Sequence, residues 1–308
     1  VLLALSVPLG GLISGTSALM MLDGWTWETM TLKAPLGLHL FWPSMKVTYQ
    51  PEAQKSPEEQ KKAIDDELKK INDAFDDARA YIMAKETEKE KGVPYHKTDM
   101  KWESMRTVLT GKTPVFIHAE DISQIKAAVY WAEQQKVKMI LVGGYDSWRV
   151  SKLLADKKIP VIVAGINRLP ARAWEPFDLP YTIPLKLYNA GVKFCITSDG
   201  GPFETPHERN LPYQAARAAA YGLPKAEALK AVTLNAAEIL RVSNHVGSLE
   251  EGKDATLIVT TGDPLEISTN TEMAFIQGRN VDLNSKHTLL NKKYQEKYKQ
   301  LKYANKVN

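Results

Sequence analysis

The sequence has a single cysteine and no uninterrupted apolar run long enough to span a membrane. Cys195 alone excludes an intrachain disulfide and any zinc cluster built from several cysteines. It leaves the compartment unknown, with a bacterial periplasm and a cytoplasm both open. The apolar N-terminus is broken by Pro8, Gly10 and Gly15, well short of the roughly 20 residues that a spanning helix needs. We therefore expect no membrane span.

Nucleotide-binding and nucleic-acid-binding signatures are also missing. The chain has no GxxxxGK[ST] loop and no GxGxxG opening a helix, which argues against a P-loop and a dinucleotide-binding fold. Its net charge is +4, but residues 285–308 hold seven lysines and one glutamate, a charge of +6. The rest of the chain therefore carries about −2, and we expect no nucleic-acid partner.

The most informative stretch that is present is GVKFCITSDGG, residues 191–201. Its apolar residues alternate with more polar ones, and it closes on Asp199 and two glycines. This pattern is typical of a buried parallel strand that delivers a functional group at its carboxyl end. The alternative is an ordinary strand-to-loop turn in which Asp199 caps the next segment.

Short apolar strands alternate with helices through the middle of the chain. The pattern predicts strands over 36–43, 113–120, 137–144, 159–165 and 191–201, and helices over 122–135, 147–156 and 181–189. Polar residues follow several of these strands at their carboxyl ends, as in a parallel α/β fold. The spacing suits a TIM-type (β/α)8 barrel, and a doubly wound sheet is the alternative.

The flanking segments add further elements. Residues 1–8 are predicted to form a buried interior strand of the barrel. A long helix begins at Ser56, where Ser, Pro and Glu occupy the N-cap, first-turn and capping-box positions. Beyond the barrel we expect helices near 213–221 and 225–240, a strand over 256–260, a hairpin around Gly278 and a lysine-rich terminal helix.

Two histidines fall on predicted strands. His118 and Glu120 end the strand over 113–120, where a parallel sheet places functional side chains. His39 lies inside the strand over 36–43, and a structural role is the favoured interpretation because nothing near it in sequence pairs with it.

Three motifs after the last predicted parallel strand resemble a known family. They are TLNAAEIL at 233–240, GSLEEGKDA at 247–255 and GDPL at 262–265. Together they are similar to the C-terminal signature of the amidohydrolase superfamily, in particular its imidazolonepropionase-like branch. The resemblance implies a metal-dependent hydrolase barrel over 1–245, a remnant of a small β-sandwich over 246–283, and a basic terminal helix over 284–308.

The resemblance also assigns roles to residues. It implies that His118 is a metal ligand, and that Asp199 is both a ligand and the general base for the attacking water. Imidazole nitrogen and carboxylate oxygen suit Zn²⁺ best among divalent ions, with Mn²⁺ as an alternative.

The chain departs from the family pattern at two places. No HxH pair occurs, so the first barrel strand and the N-terminal half of the sandwich are expected to be missing. The position of a further family histidine falls at Gly143 or Gly144. We therefore expect zinc to be bound weakly or not at all, with His207 and Glu208 as substitute ligands if binding is tight.

The sequence thus predicts metal-assisted hydrolysis of an amide or cyclic amide C–N bond in a small-molecule substrate. The predicted pocket residues are Glu120, Tyr145, Trp148 and Arg168. The alternative is a metal-free, degenerate barrel that acts as a binding or structural subunit. In either case we expect an N-terminal fragment or a partner subunit to complete the barrel, and a homo-oligomer is a further option.

Overall fold

A computed structural model describes residues 2–49, 55–88, 95–198, 200–201 and 205–307, with side chains up to residue 302. The strands are β1 (Leu3–Ser6), β2 (Ile13–Thr16), β3 (Ala18–Met21), β4 (Thr31–Lys33), β5 (Leu38–Phe41), β6 (Val115–Ala119), β7 (Met139–Gly143), β8 (Val161–Ala164), β9 (Phe194–Thr197), β10 (Leu257–Thr260), β11 (Thr271–Ile276) and β12 (Arg279–Asn280). The helices are α1 (Trp27–Met30), α2 (Pro57–Thr87), α3 (Met100–Leu109), α4 (Ile122–Gln134), α5 (Ser151–Asp156), α6 (Leu179–Asn189), α7 (Leu211–Ala220), α8 (Lys225–Ala231), α9 (Leu234–Ile239) and α10 (Lys286–Val307). Short 3-10 turns cover Ser147–Val150 and Thr205–Asn210. No described helix is both long enough and apolar enough to cross a membrane.

A six-stranded sheet forms the centre of the fold. Its strand order is β2-β5-β6-β7-β8-β9, and the strands from β5 to β9 all run parallel. Helices connect successive parallel strands, so the predicted parallel α/β layout is confirmed. The order of strands and helices along the chain is consistent with a TIM-barrel-like fold.

Both faces of this sheet are buried. Because successive side chains of a strand point to opposite faces, Val115 and Ile117 of β6 face the surrounding helices, whereas Phe116 faces the other way. On that second face Phe116, Ile162 and their neighbours pack against Leu19 of β3 and against α9. Burial on two sides explains why these strands are nearly continuous apolar runs in the sequence.

Two helices that flank the site begin as their sequences predict. In α2, Ser56 accepts a hydrogen bond from the Glu59 backbone N–H, and the Glu59 side chain accepts one from the Ser56 backbone. In α4, the Asp121 carboxylate accepts from the backbone N–H groups of Ser123 and Gln124. The second cap fixes where the chain turns immediately after β6.

The prediction for residues 1–8 is wrong. β1 is not an interior parallel strand; it pairs antiparallel with β3 in a separate three-stranded sheet, β1-β3-β4, and is only half-buried. The nearby β3 supplies its backbone hydrogen bonds, so β1 needs no place in the parallel sheet.

The elements after β9 follow the predicted order with one difference. The helix expected over 225–240 is two short helices, α8 and α9, separated by Val232 and Thr233. β10, β11 and β12 form an antiparallel sheet, with Gly278 at φ +78° in the hairpin. The final helix, α10, is exposed at every residue from 286 to 302.

Candidate active site

Two histidines meet on one face of the sheet, His39 inside β5 and His118 near the carboxyl end of β6. In the β5–β6 register His39 lies opposite Phe116, and Phe41 lies opposite His118. The histidines are therefore diagonal neighbours, and His39 Nδ1 lies 2.9 Å from His118 Nε2. Each ring also stacks on a phenylalanine, His39 on Phe116 and His118 on Phe41. The stacking fixes both ring planes.

Burial keeps both imidazoles neutral. It lowers the pKa of His39 to about 3, with a further contribution from His118, and it lowers the pKa of His118 to about 4. One ring therefore donates its N–H to the lone pair of the other. His39 Nε2 is buried without a hydrogen-bond partner among the described residues. Neutral imidazole is the form that binds a metal ion.

Glu120 occupies the space above a glycine at the end of the next strand. It follows His118 by two residues and so continues the same face. A Cβ added to Gly143 would lie 2.3 Å from Glu120 Oε1, and Gly143 has φ +87°. Glu120 Oε2 accepts hydrogen bonds from the Tyr145 backbone N–H at 3.0 Å and from the Arg168 guanidinium at 3.4 Å. The glycine thus leaves room for a carboxylate at the site where the resemblance implied a histidine.

A buried ionic network supports this wall of the site. Arg172 contacts the carboxylates of Asp146 and Glu175, and Glu175 also accepts a 2.6 Å hydrogen bond from the Tyr145 hydroxyl. Burial raises the pKa of both carboxyls, but other contacts outweigh it. Arg172 holds the pKa of Asp146 below its ordinary value, and the Tyr145 hydroxyl together with Arg172 does so for Glu175. Burial and the bond to Glu175 raise the pKa of Tyr145. The network holds the loop after β8 against the loop after β7.

These loops enclose a cleft of about 450 Å³. Three of the four predicted pocket residues line it, namely Glu120, Tyr145 and Arg168, together with Lys46 and Arg172. Trp148 lies elsewhere: its indole packs against the hydrophobic core and does not line this cleft. The Arg168 guanidinium lies 4.7 Å from the centre of the Tyr145 ring, a cation–π distance.

The remaining predicted ligands do not complete a metal site in the described part of the chain. Asp199 lies outside the described residues. His207 is exposed and Glu208 half-buried in the 3-10 turn, and neither lines the cleft. Within the described ranges, no three His, Cys, Asp or Glu residues come together as a metal-binding group.

Sequence reasoning missed His39 as a site residue. Its contact with His118 spans 79 positions of sequence and follows from the register of β5 against β6. The only signal in the sequence is that His39 and His118 each lie in an apolar strand.

Comparisons with known proteins agree on one family. The sequence model that represents the Amidohydrolase family matches residues 28–291 of this chain. The chain is 32% identical to an imidazolonepropionase from Flavobacterium psychrophilum over 127 residues, which cover 41% of this chain and 28% of that protein. It is 23% identical to amidohydrolase tasK of Hapsidospora irregularis over 188 residues, which cover 60% of this chain and 19% of that protein.

A solved structure is similar over a longer stretch. The amidohydrolase from Thermotoga maritima MSB8 superimposes with a TM-score of 0.77 and 27% identity, covering 92% of this chain and 72% of that one. In contrast, the chain spans only between about a fifth and a third of the length of the curated relatives that it matches in sequence.

Proposed function

The chain belongs to the amidohydrolase family, and from that premise we propose that it hydrolyses an amide or cyclic amide C–N bond between the His39–His118 pair and the cleft. Neither histidine is among the residues that line the cleft, so the proposal takes Glu120 as the residue that connects the two. The observation that carries the proposal is the placement of this buried, neutral histidine pair on the same face as Glu120, which lies at the carboxyl edge of the parallel sheet. In folds of this class the reacting groups come from that edge.

The family implies a divalent metal, and the donor atoms of the two histidines are of the type that binds zinc. His39 and His118 offer neutral nitrogens 2.9 Å apart, near the roughly 3.3 Å between two nitrogens on one tetrahedral zinc. We propose that these histidines hold the ion with Asp199, whose role rests on the sequence resemblance alone. A bound zinc would lower the pKa of a water molecule and polarise the scissile carbonyl.

The cleft residues bind and orient the substrate in this proposal. Arg168, held by Glu120 and by the face of Tyr145, presents hydrogen-bond donors to the cleft. Tyr145 is itself fixed through its hydroxyl by Glu175. Asp199 accepts the proton of the attacking water, and the departing nitrogen receives a proton as the C–N bond breaks.

The test is hydrolysis of a panel of N-acyl amino acids, dipeptides and cyclic amides, with and without added Zn²⁺. His118→Gln and Asp199→Asn should each lower kcat/KM by at least about 100-fold. His287→Gln is the matched control, because His287 is exposed on α10 and should leave kcat/KM unchanged. Hydrolysis that survives His118→Gln would refute the assignment.

A metal-free binding role is the second candidate, and the Gly143 site favours it. The Glu120 carboxylate stands where the resemblance implied a further histidine ligand. Elemental analysis after dialysis separates the two functions. Well under one equivalent of zinc, with substrate analogues bound but not hydrolysed, would support the binding role.

We also propose that the predicted barrel lies within 1–245 and that a β-sandwich forms beside it from segments near both ends of the chain. Support comes from the sheet β1-β3-β4, the sheet β10-β11-β12 of the predicted remnant over 246–283, and a 2.9 Å hydrogen bond from Arg279 to Asp23 between their segments. An N-terminal fragment or partner subunit that completes the barrel remains part of this proposal.

A further inference from the structure

A second cavity lies at the opposite edge of the parallel sheet. Its volume is about 510 Å³, and it is lined by residues that precede β7, β8 and β9 and by residues at the ends of α4 and α9. The candidate active site follows the strands, whereas this cavity lies where they begin. The two sites are therefore at opposite ends of the strands, and this cavity plays no part in the proposed hydrolysis.

The rim of this amino-edge cavity is strongly basic. Five basic and two acidic side chains line it, which leaves a net charge of +3. Glu133 is paired with Lys157, and Glu238 with Lys193. The remaining three cations are Lys138, Lys158 and Arg241. None of these three has a carboxylate within ion-pair distance in the part of the chain that the structure describes.

The floor of the cavity is apolar. Met139, Ile140, Ile159 and Ile239 line it and are almost completely buried. A small ion alone would leave this surface unused, whereas a ligand with an apolar body would cover it.

Two of the cations occupy strained backbone positions. Lys158 has φ +52° and Arg241 has φ +57°, each just beyond the end of a helix, α5 and α9. Glycine accepts this left-handed conformation without strain, and it is the residue found after α6 and α7, at Gly191 and Gly222. The chain therefore places positive charge at this cavity where glycine would be the relaxed choice.

We propose that the amino-edge cavity binds a small phosphorylated molecule with an apolar body. Lys138, Lys158 and Arg241 hold its phosphate oxygens, for which arginine offers a bidentate fork and lysine a point charge. The apolar floor covers the body of the ligand. Phosphate groups are favoured because three cations without acidic partners match the charge of more than one anionic oxygen.

Isothermal titration calorimetry in 0.15 M NaCl tests this site with pyrophosphate and with 1-naphthyl phosphate, and inorganic phosphate is the reference ligand without an apolar body. Lys158→Gly should weaken the binding of both probes at least fivefold, without loss of thermal stability, because glycine relaxes the backbone. Lys136→Gly is the matched control. Lys136 has φ +55° just after α4 but does not line the cavity, so binding should be unchanged.

Three results would overturn the proposal. The first is no binding of pyrophosphate at millimolar concentration. The second is equal weakening by Lys136→Gly and Lys158→Gly, which indicates only general attraction of anions to a basic surface. The third is 1-naphthyl phosphate binding no more tightly than inorganic phosphate, since the apolar floor would then contribute nothing.

Discussion

The wall of the cleft depends on the absence of one side chain. Gly143 combines a left-handed backbone with a space already filled by the Glu120 carboxylate. Any other residue at position 143 would strain the backbone and push Glu120 away from the Tyr145 N–H and from Arg168. The glycine and the glutamate therefore act as a pair.

We expect Gly143→Ala to displace Glu120 more than it destabilises the fold. The left-handed conformation should cost about 1 kcal/mol of unfolding free energy. Gly191→Ala is the matched control, because Gly191 has φ +71° and no atom within 4 Å of the added Cβ. Urea unfolding should give similar losses for both variants, since the Glu120 side chain can move. Only Gly143→Ala should reduce substrate binding, and Glu120→Ala should reduce it as well. Equal binding by the two glycine variants would contradict this.

Arg172 is the single cation on which the buried network most depends. Arg172→Met leaves Asp146 and Glu175 buried, with the longer contacts to Arg149 as their remaining ion pairs in the described part of the chain. Removing one partner of a buried ion pair typically costs about 3 kcal/mol, and we expect that loss at pH 7 in urea unfolding. Lys69→Met, which breaks an exposed pair with Asp73 on α2, is the control and should have no measurable effect.

The loss caused by Arg172→Met should depend on pH. In the native protein both carboxyl pKa values lie below the ordinary 3.8 and 4.5. The network therefore stabilises the fold above those values and loses its effect as the pH falls through the lowered ones. In the variant Arg172 no longer opposes the effect of burial, so the pKa values of Asp146 and Glu175 rise. Protonation of these carboxyls at low pH then removes the cost of burying their unpaired charges. The deficit should be smaller at pH 4 than at pH 7; an equal deficit at both would contradict this.

Three of the residues that line the cleft could be predicted individually, but the histidine pair could not. Glu120, Tyr145 and Arg168 each follow a predicted strand, and the carboxyl ends of parallel strands share one edge. His39 lies inside its strand, so only the register against β6 reveals its contact with His118. Trp148 shows the opposite error, because a position after a strand does not determine which way a side chain points.

Helices and strands with strong local signals were predicted well. The parallel strands and α2 combine apolar pattern with capping or turn residues, and each lies close to its predicted range. β1 was assigned to the wrong sheet, because a short apolar run does not specify its partner strand. The break between α8 and α9 has no glycine or proline to signal it.

The terminal helix α10 contributes little to the stability of the rest of the protein. Every described side chain from 286 to 302 is exposed, so removing the helix uncovers no core. Deletion of 286–308 should shift Tm by less than about 2 °C in calorimetry. As a control, Ile71→Ala in the buried stripe of α2 should lower Tm by several degrees, since such truncations cost about 2–5 kcal/mol. A fall of more than about 5 °C on deletion would show that α10 packs on the body.

The arrangement of the whole molecule follows from the polarity of the parallel sheet. The turns that follow the strands lie at one edge, and they carry Glu120, Tyr145 and Arg168. The strands begin at the other edge, where Lys138 and Lys193 lie. In the part of the chain that the structure describes, the strands between the two edges are buried on both faces, so packed side chains separate the two cavities. The two cavities can therefore be altered independently by substitution.

The sheet ends at β9 on one side, and this edge gives the last prediction. Within the described ranges no further strand pairs with the outer side of β9, although Phe194, Cys195 and Ile196 are buried and apolar. Its outer backbone N–H and C=O groups can pair with another chain only when the elements that cover these buried residues move aside. We therefore expect the chain, purified without a partner, to self-associate in light scattering between about 1 and 100 µM. Hydrogen exchange at 194–197 should slow with concentration, whereas exchange in β7, an interior strand, should not change. A constant monomer mass with unchanged exchange at β9 would show that its edge is already protected.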